Sequence, residues 1–100
     1  MPENPLSTMA RIDPTLVEHM RREDDWAFAD GALTRTTKLL MALAYDAALG
    51  AENGVRALAR EAVSAGATKE EIGEALRVAW VLSGIGSAYV AAQGLKELFP

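Results

Sequence analysis

The stretch Thr34-Arg35-Thr36-Thr37-Lys38-Leu39-Leu40-Met41-Ala42-Leu43-Ala44-Tyr45-Asp46-Ala47-Ala48-Leu49-Gly50 decides how this chain folds. Between Leu39 and Leu49 its only polar side-chain groups are the Asp46 carboxylate and the Tyr45 hydroxyl. Leucine and alanine dominate the stretch, and these are the strongest helix formers. It therefore reads as a helix that starts at Thr34 and ends at Gly50. A helix apolar over nearly its whole circumference is expected to be buried on all sides.

The same preference runs through the whole chain of 100 residues and 10.7 kDa, in which 50% of residues are hydrophobic. Alanine supplies 19 of these and leucine 12, against 6 aromatic residues, while strand-forming β-branched residues are scarce. The expected class is all-α, and the length is that of one domain over residues 1–100. The absence of cysteine excludes disulfides, thiolate metal sites and thiol redox catalysis. A net charge of −4, without a lysine-arginine cluster, argues against nucleic acid as a partner. Met1 to Pro5 lack the basic start and apolar core of a secretion signal, and the longest apolar run, Leu39 to Tyr45, falls far short of a membrane span. A soluble cytoplasmic protein is expected, with no membrane partner.

Outward from the central stretch, the pattern predicts five helices and no strand. Asp13 and Pro14 open the first, which runs to about Asp30 with Leu16, Val17 and Met20 on one face. Residues 1–12 are expected to be an irregular N-terminal arm. Glu52 or Asn53 opens the third helix, where Val55, Leu58, Ala59, Ala62 and Val63 form one apolar stripe opposite Glu52, Arg56 and Arg60. Gly66 closes it, and Thr68-Lys69-Glu70-Glu71 is a capping box for the fourth. The fourth has an inner face of Ile72, Ala75, Leu76, Ala79 and Trp80, which Val78, Val81, Leu82 and Ile85 then widen. Ser83-Gly84-Ile85-Gly86-Ser87 breaks the chain, and a last helix follows from about Ser87 to Leu98. A single chain of this length can hardly surround so much apolar helix surface. Ser83, Gly84, Gly86, Ser87, Ala88, Ala91, Ala92 and Gly94 would let helix backbones approach closely. A homo-oligomer is expected.

Four stretches, in this order, resemble the carboxymuconolactone decarboxylase family, which includes the alkyl hydroperoxidase D proteins. They are Asp30-Gly31-Ala32-Leu33-Thr34; Thr37-Lys38 with Leu40-Met41-Ala42-Leu43-Ala44; Ala48-Leu49-Gly50; and the run from Ala65 through Thr68-Lys69-Glu70-Glu71 to Leu76. The similarity spans roughly residues 25–92. It implies an all-helical alkyl hydroperoxidase D-like fold and assembly as a homo-trimer or homo-hexamer. Peroxidatic members carry a glutamate at the position matched here by Leu39, a Cys-x-x-Cys at those of Ala51 and Gly54, and a histidine at that of Leu58. Decarboxylase members lack the cysteines but use a histidine at the position of Leu58. All these functional residues are substituted here, so the resemblance implies the fold and the assembly without the thiol chemistry.

Asp46 is the most informative candidate for a site. It lies in the last turn of an apolar helix, where its charge meets the helix dipole unfavourably by about 0.3–1 kcal/mol, and its neighbours at three and four residues offer no partner. It reads either as an acid/base or ligand-gripping carboxylate or as one half of an ion pair with Arg56, Arg60 or a neighbouring subunit. Glu52, Asn53 and Arg56 read as a polar pocket mouth or as helix capping with an i, i+4 pair. Tyr45 and Tyr89 are further pocket candidates, set against core or interface packing, which is also the reading of Trp26 and Trp80. His19, the only imidazole, lies in a charged run and reads as a surface residue. No metal site and no cofactor is implied. Gly84-x-Gly86 follows no strand and reads as close helix packing rather than as a nucleotide loop.

Two functions follow: a cofactor-free enzyme or binder of a small molecule with a pocket near Gly50, or an inactive assembly protein of the same fold. Either way, an organic hydroperoxide supplied with a dithiol reductant should show no protein-dependent turnover, which a peroxide consumption assay checks.

Overall fold

The computed structural model describes residues 5–100. Among them are six helices and no strand: α1 (Pro5–Ile12), α2 (Pro14–Phe28), α3 (Arg35–Leu49), α4 (Glu52–Ser64), α5 (Lys69–Ser83) and α6 (Ile85–Leu95). The expected all-α class holds, with one helix more than expected. Residues 5–12 of the arm are helical; residues 1–4 lie outside the described part. An eight-residue helix is marginal alone. Here Leu6, Met9 and Ala10, at i, i+3, i+4 spacing, are half-buried, and Leu6 and Met20 line the same cleft along α2.

Local chemistry sets the ends of the elements as the sequence suggests. The Asp13 side chain accepts from the Leu16 N–H at 3.0 Å, with Pro14 in the first turn of α2. Thr34 caps α3, and both reciprocal bonds of the Thr68–Glu71 capping box are formed. Gly50 ends α3 with φ +83°, a left-handed conformation that costs glycine little, and its N–H and that of Ala51 satisfy the last-turn carbonyls of Ala47 and Asp46.

The core is built by α3, α4, α5 and α6. Leu43 and Ala47 of α3 meet Val55 and Ala59 of α4, with Ile72, Ala79 and Ala91 closing the cluster from α5 and α6. A smaller cluster of Leu39, Ala62 and Ala67 lies beside it. Removing a fully buried leucine such as Leu43 would cost about 2–5 kcal/mol.

Four expectations change. Helix α3 is buried on one face only, since Met41, Tyr45 and Leu49 are exposed. Helices α4, α5 and α6 all pack against its other side. Trp80 does not join the inner face of α5, and Trp26, Tyr45 and Tyr89 are exposed as well. The small residues of the last helix divide in two: Ser87, Ala91 and Gly94 are buried within the chain, whereas Gly86, Ala88 and Ala92 face outward. Finally, Gly84 and Gly86 do not pack closely within the chain, for a Cβ at either would meet nothing of it within 4 Å. Gly84 instead has φ +95° at the joint between α5 and α6, so that α6 begins at Ile85 rather than Ser87.

Gly94 marks a close crossing of α6 over α4. A Cβ there would lie 2.8 Å from Val55 Cγ1 and 3.0 Å from the Glu52 carbonyl oxygen. Backbone cannot move aside as a side-chain tip does, so overpacking of about 1–3 kcal/mol outweighs the helix-propensity gain of about 0.5–1 kcal/mol. Gly94→Ala is therefore expected to lower the melting temperature. Gly73→Ala, on an exposed part of α5 with nothing within 4 Å, should raise it. Thermal melts of the two variants beside the parent protein check both signs.

Candidate functional site

The outward face of α3 is the starting point. Lys38, Met41, Ala42 and Tyr45 recur at i, i+3, i+4, i+7 and so share that face, with Asp46 at its edge. The end of α2 and the segment that follows it bring Ala27, Phe28 and Leu33 alongside, and Leu58 of α4 supplies part of the wall. Together these residues line an open groove of about 550 Å³. Its walls are mainly hydrocarbon and aromatic ring, and its charged side chains are Lys38 and Asp46.

The turn at Gly50 places Asp46 beside the start of α4. Its carboxylate lies where a Cβ on Gly54 would stand, and that Cβ would be 2.8 Å from Asp46 Cγ. Only a residue without a side chain leaves the carboxylate this position. Ala51, which precedes α4, provides no side-chain cap. The half-buried carboxylate therefore faces two opposed helix ends: the carbonyl end of its own helix disfavours it, and the amide end of α4 favours it.

Neither arginine considered as its partner reaches it. The Arg56 guanidinium donates to Asn53 Oδ1 at 2.7 Å and to the Gln93 carbonyl oxygen at 3.4 Å, and lies 3.6 Å from Glu52 Oε1. Arg60 pairs with Glu97 at 3.2 Å. Among the described residues, Asp46 has no ion-pair partner.

The six candidates thus separate. Tyr45 and Asp46 stand together in the groove. Glu52, Asn53 and Arg56 form a polar set that joins the first turns of α4 to α6 through the Gln93 carbonyl, where Arg56 Nε is buried without a partner. Tyr89 is exposed on α6 and does not line the groove. His19 stands 3.5 Å from Glu23 on the surface of α2. Sequence reasoning missed Lys38, Phe28, Leu33 and Met41 as groove residues. The signal for two of them was present, since Lys38 and Met41 stand at helical spacing from Tyr45.

Lys38 is half-buried and donates to the Ala29 carbonyl oxygen at 2.6 Å, which ties α3 to the end of α2. An ammonium group has three donors, so two remain for a ligand. No carboxylate among the described residues pairs with it.

An all-helical domain with an apolar groove between the central helix pair and the end of α2 defines the class. The sequence model of the carboxymuconolactone decarboxylase family matches residues 14–97, and the chain belongs to that family. The match reaches beyond the quoted stretches at both ends, to the first turn of α2 and past α6. No curated protein and no solved structure matches the chain. Ala51 and Gly54 lie at the α3–α4 junction, where Gly54 underlies the Asp46 carboxylate; Leu58 lines the groove, and Leu39 is buried near the start of α3 beside Ala62 and Ala67.

Asp46 has no ion-pair partner among the described residues and stands between two helix ends of opposite sign. Asp46→Asn is thus expected to change stability by less than about 1 kcal/mol at neutral pH. Loss of one partner of a buried ion pair would instead cost about 3–5 kcal/mol. Chemical denaturation of the two proteins under identical conditions separates these outcomes.

Proposed function

We propose that this family member acts without thiol chemistry and without a cofactor, as an enzyme or binder of a small molecule held in the groove along α3. The observation that carries this reading is a carboxylate with no ion-pair partner among the described residues, set at the edge of a mainly apolar groove. Small-molecule sites combine such apolar walls with a few placed polar groups. Leu58 lines the groove at the position matched to the family's histidine, so this is where the chain would keep a binding surface after losing the usual catalytic groups. Asp46 can accept a hydrogen bond or a proton from the ligand, and Tyr45 supplies a flanking ring.

Assembly as a homo-trimer or homo-hexamer belongs to the same reading. Val78, Val81, Leu82, Ile85 and Tyr89 leave a large apolar surface exposed on α5 and α6. Contiguous apolar surface of this kind marks contact sites rather than free surface. The same surface supports the second reading, an inactive assembly protein, which differs in having no ligand for the groove.

Two measurements test these readings. Light scattering at micromolar concentration is expected to give a mass several times 10.7 kDa, and Leu82→Glu should reduce it. A monodisperse 10.7 kDa species would overturn the assembly. A thermal-shift screen of small organic acids, amines and alcohols should yield compounds that stabilise the parent protein more than Asp46→Asn. A screen in which no compound separates the two would favour the assembly reading.

A further inference from the structure

The two charges of the groove have opposite sign and stand at opposite ends of it. Lys38 and Asp46 are eight residues apart on one helix, which is about 12 Å along its axis. Lysine is fastened towards the end of α2 by its bond to the Ala29 carbonyl oxygen. The Asp46 carboxylate is directed the other way, against Gly54 at the start of α4. The two groups therefore cannot neutralise each other. Between them lie Met41, Ala42 and Tyr45 of α3, faced by Phe28 and Leu33.

We propose that the groove takes an elongated small molecule with an apolar body and a charge at each end, its anionic end at Lys38 and its cationic end at Asp46. The inference rests on the groove being the ligand site. Each end supplies what the corresponding ligand group needs. The ammonium of Lys38 keeps two free donors for a carboxylate, and the carboxylate of Asp46 accepts from an ammonium. The body of the ligand replaces water against hydrocarbon and ring. A ligand with one charge leaves the far protein charge without a partner beside an apolar surface, which is unfavourable. A compact zwitterion such as a simple α-amino acid cannot bridge the separation. The occupant is thus selected by length as well as by charge.

The probes are ω-aminooctanoate, octanoate, octylamine and the shorter ω-aminobutyrate, titrated into the full chain and followed by amide and methyl NMR shifts. ω-Aminooctanoate is expected to bind about tenfold more tightly than either single-headed probe, with shifts at Met41, Ala42 and Leu58, and ω-aminobutyrate should not bind measurably. Lys38→Met should reduce ω-aminooctanoate to the affinity of octylamine, and Asp46→Asn should reduce it to that of octanoate. Both variants keep the apolar walls, and amide spectra verify that they fold. Equal binding of all three eight-carbon probes in the groove would overturn the two-charge inference while leaving the groove as a ligand site. Absence of shifts with every probe, or shifts confined to residues outside the groove, would overturn the groove reading as well.

Discussion

The turn that joins α3 to α4 is the constraint on which the remaining structure depends. Gly50 takes a left-handed conformation, and the amides of Gly50 and Ala51 close the last carbonyls of α3 in the space of one turn. The chain then reverses so sharply that Val55 and Ala59 fall against Leu43 and Ala47. Helices α5 and α6 complete the core around that pair. Small residues help them do so: Ala79 and Ala91 are buried in that core, and Gly94 lies against the backbone of α4 at Glu52.

The same turn creates the polar edge of the groove. A carboxylate near the end of a helix is normally a small liability. Reversal of the chain sets Asp46 beside the amide end of the next helix and over Gly54, where the dipole of α4 opposes that of α3. A side chain at position 54 would compete for the space the carboxylate occupies. In a chain without cysteine, this arrangement leaves one acidic group beside an apolar wall. Lys38 is the counterpart at the other end, fastened to the end of α2 and so to the element that forms the groove's second wall.

Much of this was legible in the sequence because it rests on local chemistry. Asp13-Pro14, Thr34, Gly50, Gly66 and the Thr68–Glu71 box each act over four residues or fewer, and the structure uses each near the end of a helix. Of the expected stripe on α4, Val55, Ala59 and Ala62 are buried as the helical period requires and Leu58 is half-buried, while Val63 at its edge is exposed. The family is legible for a similar reason, since several such signals in fixed order constrain the whole chain. Helix α1 was less so, because an eight-residue segment has little helix preference of its own and is held by its packing along α2.

What the sequence by itself determined was the all-helical class, the capped helix ends at Asp13, Thr34, Gly50 and Thr68, the family and the absence of any thiol, all of which follow from residue type and near neighbours. Which face of α3 stays open beyond its polar first turn could not follow from it, because period-based reasoning needs polar residues to mark the outer face and the run from Leu39 to Leu49 has only Tyr45 and Asp46. Only the tertiary structure decided that Met41 and Tyr45 face outward while Leu39, Leu43 and Ala47 face in. It alone separated Tyr89 from Asp46, turned Arg56 towards the Gln93 carbonyl, and joined Lys38 to the groove. These are consequences of where the chain reverses and which helices then pack, and residues far apart in sequence carry no local trace of them.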